Sequence, residues 1–158
     1  MNHALSRLTL IGVAFVFTAL PAQAQDLGSL DGTWEGSLVV GAAPSWSGES
    51  RPYTVRMTIA GATARVFARY GNSGPFQELK PGAFHLTRHG PNGVIAALDQ
   101  GQDDDGTWVE TWAFAVTLKT RDALITNLYR VVNNVDLPLS VSRSKFTEAQ
   151  AGELFRTK

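Results

Sequence analysis

From residue 107 to 119 the side chains alternate in kind at every step. Trp108, Glu110, Trp112, Phe114, Val116 and Leu118 occupy the even positions, and smaller residues, mostly Thr and Ala, the odd ones. A period of two puts each set on its own face of an extended strand. A helix does not suit this pattern, because helical neighbours on one face recur every three or four residues.

The same period recurs along the chain. In residues 30–40, Leu30, Gly32, Trp34, Gly36, Leu38 and Val40 alternate with Asp31, Thr33, Glu35 and Ser37. In residues 53–59, Tyr53, Val55, Met57 and Ile59 alternate with Thr54, Arg56 and Thr58. Turn signals at 60–62, 71–75, 80–82, 90–93, 101–106 and 119–122 separate strands expected over 63–70, 76–79, 83–88, 94–99 and 123–135. Residues 138–143 read as an edge segment, since Pro138 cannot donate to a ladder. Residues 147–156 suit a strand or a short helix. Eight to ten short strands with tight turns, paired in sequence, predict an all-β antiparallel up-and-down barrel, which leaves no exposed edges. A β-sandwich is the alternative. Residues 41–52, rich in Gly, Ser and Pro and carrying Trp46, read as a loop or lid.

Arg7, an apolar run over 8–20 and the small-residue end Pro21-Ala22-Gln23-Ala24 have the form of a secretory signal peptide, cleaved before Gln25. The expectation is a leader over 1–24, a single barrel domain over 25–158, and a periplasmic or secreted protein. The mature 134 residues carry thirteen Lys and Arg against fourteen Asp and Glu, a net −1. That balance gives no electrostatic reason to expect nucleic acid. No later segment is apolar enough for a transmembrane helix. With no cysteine, packing alone must hold the fold.

Gly32-Thr33-Trp34 on a first strand resembles the lipocalin and fatty-acid-binding group. In that group a Gly-x-Trp closes one end of a barrel, and in lipocalins an arginine after the last strand packs on the indole. The resemblance implies a lipocalin-like barrel with Arg156 in the arginine's place. Trp34-Glu35-Gly36 extends the likeness toward the haem-binding nitrobindins. Their glycine series stops here at Gly36, and no histidine follows His89, where they carry the axial ligand. No cofactor is therefore expected.

Glu110 shares its strand face with Trp108, Trp112 and Phe114, where a carboxylate is costly unless paired. If Leu118 pairs with Leu124, Arg130 falls opposite Trp112 and diagonal to Glu110, within reach of it. The reading is a non-enzymatic barrel holding a small apolar ligand. Trp34, Trp108, Trp112, Phe114 and Tyr129 would line the site, and Glu110 and Arg130 would supply its polar contacts. A structural ion pair fits the same two residues, and a cell-envelope interaction module without a cavity is the alternative function. An enzyme using Glu110 as acid or base is a third reading.

Asn133-Asn134 suits a ligand contact or a strand end. His85 and His89 share a face but lack a third metal ligand at a recognisable spacing. Asp103-Asp104-Asp105-Gly106 fits a hairpin tip and fails the EF-hand pattern, with Gly101 at the first ligand position. No nucleophile elbow or phosphate-cradling loop is present.

Overall fold

The structure, a computed structural model, describes residues 28–40, 53–70, 73–104, 106–134 and 145–158. Nine strands follow one another: β1 (Gly32–Val40), β2 (Tyr53–Ala60), β3 (Thr63–Tyr70), β4 (Gln77–Leu79), β5 (His85–His89), β6 (Asn92–Asp103), β7 (Gly106–Thr120), β8 (Ala123–Asn134) and β9 (Lys145–Arg156). All pairings are antiparallel. Neighbours in sequence pair from β5 to β9, β9 returns to β1, and β2–β3 pairing closes the ring. Short β4 and β5 both lie on β3 and together form one interrupted stave, so the barrel has eight.

Closure settles the form of 147–156. The segment is a strand, hydrogen-bonded to β1 on one side and β8 on the other. A helix here would leave both neighbours with bare edges. As the alternation requires, Leu154 is buried and Phe155 is 56% exposed. Gly101 to Gly106 is less of a tip than its composition suggests. β6 runs on to Asp103, which pairs with Gly106, because backbone pairing with β7 compensates for the glycine and the polar side chains.

One end of the barrel is plugged. Trp34 is fully buried, and its indole N–H donates to the Leu30 carbonyl at 2.8 Å. The Arg156 guanidinium lies 4.1 Å from the Trp34 ring centroid. It also donates to the carbonyls of Asp31, Ser29 and Arg121 at 2.7, 2.9 and 3.0 Å. Gly32 makes this possible: its φ is +133°, and a Cβ there would stand 2.3 Å from an Arg156 nitrogen. The interior between this plug and Trp112 is a continuous apolar core that includes Leu38, Met57, Ile95, Phe114 and Leu154.

The leader expected over 1–24, the loop or lid expected over 41–52 with Trp46, and the edge segment expected over 138–143 lie outside the described residues. No described helix is long and apolar enough to cross a membrane.

Candidate functional site

The end of the barrel opposite the plug is polar inside. On its inner wall Asp99 of β6 stands directly opposite Glu110 of β7. Leu118 pairs with Leu124, with a register irregularity just beyond it, so Arg130 of β8 sits opposite Trp112 and diagonal to Glu110. Glu148 of β9 is in turn opposite Arg130. Arg130 Nε and Nη2 donate to Glu110 Oε1 at 2.6 and 2.5 Å. The same guanidinium lies 4.5 Å from the Trp112 ring centroid, so one cation serves both the carboxylate and the ring. Its Nη1 is 3.7 Å from Glu148 Oε2. Tyr53 Oη and Gln150 Nε2 donate to Glu148 at 3.2 and 2.5 Å.

Lys80 completes the cluster from the break between β4 and β5. Its φ is +41°, a left-handed conformation uncommon outside glycine. Among the described residues β4 pairs only with β3, and β6 beyond Ala96 pairs only with β7. Backbone hydrogen bonds therefore do not join β4 to this half of β6. Lys80 reaches across, with Nζ 2.5 Å from Asp99 Oδ2 and 2.6 Å from Glu110 Oε2. Nζ also lies 5.2 Å from the Trp108 ring centroid. Trp108 lies close against Gly101, where a Cβ would come within 2.4 Å of the indole.

Burial opposes ionisation of Glu110. Lys80 and Arg130 outweigh it and hold the carboxyl below the usual glutamate range. The Trp112 indole N–H acts on the same carboxylate and adds to that field. Desolvation likewise works against the Lys80 ammonium, but hydrogen bonds to Asp99 and Glu110 raise its pKa. Asp99 is lowered by Lys80. Glu110 is thus an ionised anchor with both oxygens engaged, a poor proton donor near neutral pH.

Of the residues named from the sequence, this end gathers Trp108, Glu110, Trp112 and Arg130. Phe114 lies one step deeper, fully buried, stacked on Trp112 at 6.4 Å and edge-on to Phe84 at 5.8 Å. Trp34 belongs to the plug at the opposite end. Tyr129 is a correction: it is 51% exposed on the outer face, because one step from Arg130 reverses the side. Asn133 also lies outside, opposite Val109. His85 and His89 share the exposed face of β5. No group of three metal-ligating side chains forms among the described residues.

Lys80, Asp99, Glu148 and Tyr53 escaped sequence reasoning. A signal for Lys80 existed. Extending the β6–β7 register through the hairpin places Asp99 opposite Glu110, and two facing carboxylates call for a cation. Nothing local marks which lysine supplies it. The chain matches no family model, no curated protein and no solved structure.

Proposed function

We propose that this chain is an exported, non-enzymatic, lipocalin-like barrel that holds a small, mainly apolar ligand at its polar end. Trp108 and Trp112 would supply the aromatic walls, with Glu110, Arg130 and Lys80 as the polar contacts; Phe114, fully buried, would support Trp112 from below. The observation that carries this reading is the cluster of fixed charges, a buried Glu110 held by the partly exposed Lys80 and Arg130, set against the Trp108 and Trp112 rings. Buried ion pairs stabilise a fold less than well-packed apolar groups of the same volume. A cluster of charges against aromatic walls suits recognition of a ligand with both a flat apolar body and a polar end. The leader-like sequence over 1–24 supports a periplasmic or secreted setting.

Native mass spectrometry of protein purified from its own source tests the proposal. A reproducible extra mass, lost in Trp112→Phe and Arg130→Gln, is expected. Bare protein in every preparation contradicts it. That outcome favours the second reading, an interaction module of the cell envelope, which the continuous core up to Trp112 supports.

A further inference from the structure

One stave of the barrel is held differently from the rest. The segment 75–81 carries β4 and Lys80 and is bounded by Gly74 and Gly82, whose φ values are +99° and +74°. At either glycine a Cβ would meet no atom within 4 Å, so both ends of the segment are uncrowded and free to turn. On one side β4 pairs with β3 through Gln77, Glu78 and Leu79. On the side toward β6 it has no backbone pairing among the described residues. Its other ties lie at the outer surface. Arg65 donates to Glu78 at 2.8 Å, and Phe76 lies 4.3 and 4.7 Å from the Arg56 and Arg69 guanidiniums. Contacts of these kinds are weak where water reaches them. Leu79 is only partly buried against the core. Past Gly82 the chain is anchored again: Phe84 is 2% exposed, its carbonyl accepts from Ala64 at 3.3 Å, and the Leu86 N–H donates to the Ala62 carbonyl at 2.8 Å.

We infer that segment 75–81 is a lateral flap, latched across the seam between β4 and β6 by Lys80. The latch is the one group that the flap sends inward to the charged site: its ammonium holds Asp99 and Glu110 and lies over Trp108. Asp99 secures the other lip as well, since its second oxygen accepts the Gln100 backbone N–H at 2.9 Å. Local opening follows the route that breaks the fewest hydrogen bonds and buried apolar contacts. Three residue pairs and the Lys80 bridge hold the flap, whereas eleven or more pairs close each seam from β6 to β9. Swung outward, the flap uncovers Asp99, Glu110 and Trp108 from the side of the barrel. That this opening admits a ligand rests on the function proposed above; the flap itself does not.

Native-state hydrogen exchange of the purified protein, followed by NMR in low urea, is the test. The slowest amides of Gln77–Leu79 should exchange at least about tenfold faster than the slowest of β7 and β8, and almost independently of urea, as a local opening requires. Lys80→Met should speed exchange at Gln77–Leu79 by a further factor of about ten or more. Arg156→Ala, which loosens the plug at the opposite end, should speed β7 and β8 and leave Gln77–Leu79 unchanged, because the plug stays whole when the flap opens. Exchange at Gln77–Leu79 in step with β7 and β8, in the wild type or in Arg156→Ala, overturns the flap. An unchanged rate in Lys80→Met overturns the latch. Neither result depends on a bound ligand, so the flap and the ligand site can fail separately.

Discussion

Asp99 and Glu110 face each other across β6 and β7 inside the barrel, and a single ammonium, Lys80 Nζ, holds one oxygen of each at 2.5 and 2.6 Å. Two like charges in register destabilise a strand pair. Here the repulsion is answered by a residue from a different stave, so the ion pairs join β4 to β6 where backbone pairing is missing.

Lys80→Met therefore leaves two facing carboxylates with only Arg130 nearby. A stability loss of about 2 kcal/mol is expected, less than for a fully buried pair because Lys80 is partly exposed. Urea unfolding measures it. Adding Asp99→Asn should recover part of the loss, since the repulsion goes with the charge. Equal stability of Lys80→Met and wild type rules out a structural role for the bridge.

The same groups set the response to acid. Glu110 and Asp99 titrate below their ordinary values of 4.5 and 3.8. Their contribution to stability is complete above those values and is lost as pH falls through the lower folded ones. Lys80 is raised, so its contribution is complete below its ordinary 10.5 and is lost as pH climbs past it. Urea midpoints followed from neutral pH into acid should decline below about pH 4.5, the ordinary glutamate value. Glu110→Gln with Asp99→Asn should flatten that decline, and an unchanged slope contradicts the assignment.

At the plugged end, Arg156→Lys should behave almost as Arg156→Ala. The guanidinium donates to three carbonyls while lying on the Trp34 ring, and an ammonium cannot reproduce that planar fork. A loss of about 2–3 kcal/mol is expected for either change. Thermal unfolding followed by tryptophan fluorescence would read it. Full rescue by lysine would reduce the contact to simple charge.

Gly101→Ala tests how closely Trp108 is seated. The new methyl would lie 2.4 Å from the indole, so the ring must move or the strand must bend, at about 1–3 kcal/mol. The Trp108 indole resonance should shift in a two-dimensional NMR spectrum while that of Trp34, at the other end, stays in place. An unmoved Trp108 signal means that the backbone gives way instead.

What the sequence by itself determined is whatever depends on near neighbours. The alternation from Tyr53 to Ile59 and from Trp108 to Leu118 gives the strands and their inner faces. Once Leu118 is paired with Leu124, the count puts Arg130 beside Glu110, because from that pair onward the register is unchanged along the hairpin. Gly32, Trp34 and Arg156 were legible as a closing set only through a family likeness. The rest belongs to the tertiary structure. Residues 147–156 became a strand because two edges needed pairing. Tyr129 turned outward because a single residue separates inside from outside. Lys80 found Asp99 and Glu110 because ring closure brought a turn residue to a wall it never adjoins in sequence. Pleat and turn chemistry act over a few residues and are written locally. Charge pairing across a closed sheet acts through space, and its partners are fixed only once the ring has closed.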